Sequence, residues 1–155
     1  MNFEQRTHPT RHLIGATIRT SHANAPEEIP AFWGQILQTR ALDTIDTNAP
    51  GVLYAVYTDM EDEWRGAYTM WLAVEVSPDA PTPEGFARLV VDGRERTCTH
   101  IDGSAPEHIT GAWRHIWHDW SRRAERAYGV DLEIHRFDET GMHDVEIALS
   151  MAQAR

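Results

Sequence analysis

The chain has 155 residues, 41% of them hydrophobic and a quarter charged, which suits one compact domain with an ordinary core. Its formal net charge is -10 and its 14 basic residues form no stripe, which argues against a surface built for nucleic acid. The single cysteine, Cys98, excludes an internal disulfide and a cysteine zinc site and fits a reducing cytoplasm. No apolar run approaches the roughly 20 residues of a membrane span, and no apolar signal core follows Met1.

In chain order, residues 13–20 read as a strand. After a turn-like stretch to Pro26, the residues Ile29, Phe32, Trp33, Ile36 and Leu37 recur at spacings of three and four, one face of a helix. Residues 51–58 are β-branched and aromatic, hence a strand. A polar hairpin loop, 59–66, leads into a second strand, 68–76, and Pro78, Pro81 and Pro83 mark a linker. Residues 86–91 and 96–101 are strand-like around the turn Asp92-Gly93. Ser104-Ala105-Pro106-Glu107 reads as a capping box with proline just inside a helix. The face of that helix holds Ile109, Trp113, Ile116, Trp117, Trp120 and Ala124. Residues 131–137 and 144–149 close the chain as a hairpin.

The two halves share order and spacing. Trp33 and Trp113 stand 80 residues apart on their helices, and the strands opening at Gly51 and Asp131 have the same offset. This predicts a single α+β domain over 1–155, a tandem β-α-β-β pair with pseudo-repeats at about 13–77 and 84–150. Its antiparallel sheet carries both helices on one face.

The closing hairpin carries the clearest candidate chemistry. Period-two alternation groups Leu132, Ile134, Val145, Ile147 and Leu149 against a helix, leaving Glu133, His135, Glu146 and Ala148 on the other face. With Phe137 paired to Asp144, Glu133 faces Ala148 and has no cationic partner, whereas His135 faces Glu146. An unpaired, desolvated carboxylate favours an incoming cation. The same pattern also suits an ordinary wet face. Trp33, Trp113 and Trp117 are core residues first. Trp71 alternates out of the aliphatic set of its strand and shares a face with Thr69, Ala73 and Glu75. Trp64 lies in the hairpin loop, free to stack on a ligand or to fold back on the core. His115 and His118 flank the buried side of their helix and point to solvent, so no metal site is expected. There is no nucleophile elbow, no catalytic surrounding for Cys98 and no phosphate loop.

Residues 50–59, then Gly66-Ala67-Tyr68-Thr69 and Ala73-Val74-Glu75-Val76, resemble the middle of GyrI-like proteins, the effector-binding domains of bacterial multidrug-responsive activators. Pro83-Glu84-Gly85-Phe86 and the Trp113-to-Trp120 helix are similar to the family's second half. Asp131-Leu132-Glu133-Ile134 and Asp144-Val145-Glu146-Ile147 resemble its last two strands. The resemblance implies a ligand cleft between the halves and binding of lipophilic, often cationic molecules over an acidic residue. By position that residue is Glu133, with Glu146 as a second carboxylate. Relatives often carry tyrosines where this chain has His135 and Ala148. The family also includes hydrolases of strained cyclopropane-bearing toxins, which makes Glu133 a general base in the alternative reading. No helix-turn-helix segment precedes Leu13, so a stand-alone domain is expected.

The leading expectation is therefore a cytoplasmic binding module, a sensor or sequestering protein, with no cofactor and no metal. Its ligand-binding set is Glu133, Glu146, Trp71, Tyr68, Trp64, Trp33, Trp113 and Trp117. A small aromatic or cationic molecule is its partner, without direct nucleic-acid or membrane binding. An enzyme-inhibiting protein partner and a homodimer stay open.

Overall fold

The structure, a computed structural model, describes residues 1–152, with the backbone alone for His143. Among these residues, eight strands form one antiparallel sheet: β1 (Glu4–His8), β2 (Arg11–Ser21), β3 (Val52–Thr58), β4 (Ala67–Val76), β5 (Ala87–Val91), β6 (Arg94–Ile101), β7 (Asp131–Asp138) and β8 (Gly141–Leu149). Two α-helices, α1 (Ala25–Thr39) and α2 (Pro106–His118), accompany it. The order across the sheet is β1-β6-β8-β7-β3-β4-β2-β5. Outward from the central β7–β3 pair, β8 and β6 mirror β4 and β2. The tandem β2-α1-β3-β4 and β6-α2-β7-β8 units follow the expected repeat.

The ends of the sheet are tied together. Only Pro9 and Thr10 separate β1 from β2, yet these strands stand first and seventh in the order. In a flat sheet they would be about 29 Å apart at about 4.8 Å per strand, and two linking residues reach only about 11 Å. The sheet must curl. The turn at Asp92-Gly93 is correspondingly a corner, because β5 pairs with β2 and β6 pairs with β1. Gly15 sits where β2 meets both β4 and β5, and a Cβ there would fall 2.0 Å from the Leu72 carbonyl oxygen.

Curling gives the sheet two buried faces. Inside, Leu13, Val56, Trp71, Cys98 and Ile134 pack together, and Val91 of β5 meets this cluster across the closure. Outside, Phe32 and Ile36 of α1 cover Ile14, Ala55, Met70 and Leu72. Ala112, Trp113 and Ile116 of α2 cover Ile147 and Leu149. Both helices therefore lie on the outer face, as the repeat predicts. No helix among the described residues is long and apolar enough to cross a membrane.

Several local expectations need correcting. The polar strand β1 has no apolar alternation to reveal it. The helix cap is Ala105 without a side-chain bond, so Ser104 does not cap, although Pro106 opens α2 as expected. That helix stops at His118, and Ala124 lies exposed in a separate 3-10 turn, Arg123–Glu125. Leu37 also faces solvent.

The closing hairpin differs most. An irregularity between Arg136 and Phe137 pairs Phe137 with Met142, Glu133 with Ile147 and His135 with Val145. Glu133 thus does not face Ala148, nor His135 Glu146. Leu132 and Ile134 point into the curl, whereas Glu133 and His135 point at the helices.

Candidate functional site

On the outer face, β7 runs between β3 and β8 and presents Asp131, Glu133 and His135 in succession. Glu133 is 4% exposed. Its Oε2 accepts hydrogen bonds from the Trp113 indole N–H at 2.6 Å and the Tyr57 hydroxyl at 2.8 Å. Its Oε1 lies 2.7 Å from His135 Nε2. A carboxylate oxygen only accepts, so Nε2 carries the proton of that bond. Burial by itself pushes the Glu133 carboxyl up, but the bond and charge of His135, with the Tyr57 and Trp113 donors, outweigh it. The group is held below its ordinary value, and the expected unpaired carboxylate is instead a fully partnered one. Conversely, burial and then the charge of Glu133 push Tyr57 far above the usual phenol value and Tyr68 up to about 12.

Both helices close over this carboxylate. From α1, Trp33 meets the His135 ring edge-on at 4.9 Å. From α2, Trp113 donates to Glu133 and meets Tyr57 at 5.6 Å, while Tyr57 meets Tyr68 at 5.7 Å. The aromatic surface continues outward through Trp117, stacked on Trp113 at 6.3 Å, to Trp64, stacked on Trp117 at 5.6 Å. His22 stands edge-on to both Trp64 and Trp117 at 4.8 Å. The loop that delivers Trp64 turns through left-handed backbone at Asp59, Asp62 and Glu63, and the Arg65 guanidinium covers the indole at 5.0 Å. Beneath the cleft, buried Arg126 pairs with Asp131 at 2.8 Å and lies 5.8 Å over the Trp113 ring. Aromatic faces around one desolvated carboxylate favour a cation, through ring quadrupole and charge together.

Of the residues singled out in the sequence, Glu133, Trp33, Trp64, Tyr68, Trp113 and Trp117 share this outer face. Trp71 and Glu146 lie inside the curl, out of its reach. The Trp71 indole N–H is buried without a partner and borders a cavity of about 430 Å³ with Thr58, Leu89, Tyr128 and Val130. A second cavity, about 250 Å³, lies beside Trp64 and Trp117 and includes Arg123. Glu133 borders neither; its own ring of side chains encloses it. Tyr57, His22 and the Arg126–Asp131 pair were missed. Tyr57 was readable as an aromatic alternating with Ala55 in a strand, but the pairing that brings β3 against β7 was not. His118 is exposed, with its ring 5.1 Å from Trp64.

A family model described as integron-associated effector binding protein matches residues 6–150. No curated protein matches the chain. Among solved structures, SAV2435 bound to tetraphenylphosphonium superposes with a TM-score of 0.79 at 12% identity, covering 97% of this chain and 94% of that one. An integron cassette protein from the mobile metagenome of Vibrio cholerae gives 0.74 at 19% identity, covering 96% and 95%. A bacterial transcription regulation protein from Staphylococcus aureus MU50 gives 0.77 at 12% identity, covering 99% of each chain. At these identities the superpositions establish the shared fold.

Proposed function

Because the chain belongs to the integron-associated effector-binding protein family, we propose that it binds lipophilic organic cations between α1 and α2, as a sensor or sequestering protein. The observation that carries this reading is the buried Glu133 carboxylate, enclosed by Trp33, Tyr57, Trp113 and His135 on the floor of an aromatic surface. Such a carboxylate supplies the counter-charge that a desolvated cation requires, and the rings supply its apolar contacts. The tetraphenylphosphonium bound by SAV2435, a protein of the same fold, is a ligand of this chemistry.

Binding requires rearrangement, since donors already occupy both carboxylate oxygens. Trp33, Trp64 and Trp117 are partly exposed and line the route inward from solvent. Glu133 held below its ordinary value by three donors is a weak general base, which disfavours hydrolysis.

The test is tryptophan fluorescence quenching by tetraphenylphosphonium. Saturable quenching is expected, and Glu133→Gln should weaken it by about 1–3 kcal/mol, the range for losing a charged hydrogen-bonding partner. Equal affinity for a lipophilic anion of the same size, such as tetraphenylborate, would overturn the charge argument.

A further inference from the structure

The other buried glutamate lies inside the curl and takes no part in the aromatic cleft. Against the expectation from the sequence of no metal site and no zinc-bound cysteine, we propose that His8, Cys98 and Glu146 form a three-ligand site for a divalent metal ion of the zinc type. His8 ends β1, Cys98 lies within β6 and Glu146 on β8, so three neighbouring strands bring them together. His8 Nε2 is 3.3 Å from Cys98 Sγ and 3.0 Å from Glu146 Oε2, and all three ligand atoms lie within 4.8 Å of one another. The three residues are 5%, 0% and 2% exposed. Ligand atoms on a tetrahedral zinc stand about 3.3–3.8 Å apart, given bonds of about 2.0–2.3 Å, so small shifts complete the geometry.

A second observation points at the same spot. Buried Glu146 Oε2, although 3.0 Å from His8 Nε2, receives no aligned hydrogen bond. The partners of Glu146 gather on its other oxygen: Arg136 Nη2 at 3.4 Å, His100 Nε2 at 3.5 Å and Arg6 Nη1 at 3.8 Å from Oε1. Oε1 is thereby anchored while Oε2 remains directed at His8 and Cys98, the division a ligating carboxylate needs. Imidazole, thiolate and a single carboxylate suit zinc over magnesium or calcium, which take all-oxygen sets.

One contact competes with the ion. Arg11 Nη1 lies 2.9 Å from His8 Nδ1. A guanidinium only donates, so Nδ1 accepts and Nε2 carries the ring proton in the metal-free protein. An ion on Nε2 shifts that proton to Nδ1 and turns Arg11 away, toward Glu75, whose Oε1 is already 3.9 Å from Arg11 Nε. The Cys98 thiol releases its proton to solvent as the thiolate binds.

The test uses the full, reduced chain with zinc in competition with a chromophoric chelator, and cobalt(II) as a spectroscopic substitute. One ion per chain is expected, and the cobalt form should show a thiolate-to-metal charge-transfer band in the near ultraviolet. Cys98→Ser should abolish the band and weaken zinc by more than the roughly 10–100-fold typical of losing an outer-shell partner. Arg11→Met, which removes the competing donor, should tighten binding. Zinc binding that persists in Cys98→Ser, or a cobalt form without the band, would assign the metal to surface histidines and overturn the proposal. If Cys98→Ser fails to fold, the band in the unaltered protein decides alone.

Discussion

Glu133 and Glu146 stand on adjacent strands, both nearly inaccessible to solvent, yet they point to opposite faces of one sheet and meet different chemistry. Glu133 is held by an indole, a phenol and an imidazole, all supplied by residues that are themselves enclosed or packed under a helix. Glu146 is held by Arg136, Arg6 and His100, of which Arg6 and His100 reach well into solvent. The indole and the phenol fix the carboxylate without cancelling its charge, and His135 alone adds an opposing charge beside it. Surrounding arginines cancel the charge locally and leave an oxygen free only where geometry spares it. Burial alone therefore does not define a ligand site; the kind of donor does.

The largest expected effect removes the curl that separates the two faces. Gly15→Ala drives a methyl into the Leu72 and Ala73 backbone, which cannot give way as a flexible side chain would. Because the clash is with backbone, a loss larger than the roughly 3–5 kcal/mol of breaking a buried charge pair is expected in urea denaturation, beyond ordinary overpacking. An unchanged midpoint would show that β2 tolerates more room than the close approach implies.

Next in size is the contrast between the glutamates. Glu133→Leu leaves three donors without an acceptor in an enclosed site and should lower stability by about 3–5 kcal/mol. Glu146→Leu should cost less, because Arg6 and His100 can turn to water. Equal losses in parallel denaturation curves would erase the distinction drawn between the faces.

Trp113→Phe sharpens the comparison by keeping most of the ring and deleting the 2.6 Å bond to Glu133. A loss of about 1–3 kcal/mol is expected, combining one charged hydrogen bond and a smaller side chain. Tetraphenylphosphonium affinity should fall less than in Glu133→Gln, since the counter-charge survives.

The smallest effect is on pH dependence. The folded-state value of Glu133 is depressed, so its ionised form contributes stability above the ordinary carboxylate range. That contribution is lost as pH falls below this range and through the lowered value. The stability gap between the unaltered protein and Glu133→Gln should thus narrow on acidification, measured by thermal unfolding at successive pH. A gap that widens would mean that the group is raised, not lowered.

Periodicity in the sequence was enough to place α1, α2 and seven of the eight strands, and the 80-residue offset was enough to pair the halves, because these are local or repeating properties of the chain. The family resemblance, together with period-two alternation, also drew out Glu133 and most of the tryptophans. What the sequence could not decide was which way the closing hairpin faces. Alternation identifies a buried face only when the other face is wet, and a curled sheet with helices outside has no wet face over β7 and β8. Leu132 and Ile147 are equally apolar and equally buried, one inside the curl and one beneath α2. One slip near Arg136, invisible in composition, then turned Glu133 toward Trp113 and sent Glu146 to the opposite side. The meeting of His8, Cys98 and Glu146, far apart in the chain, was decided only when the edge strand β1 paired with β6.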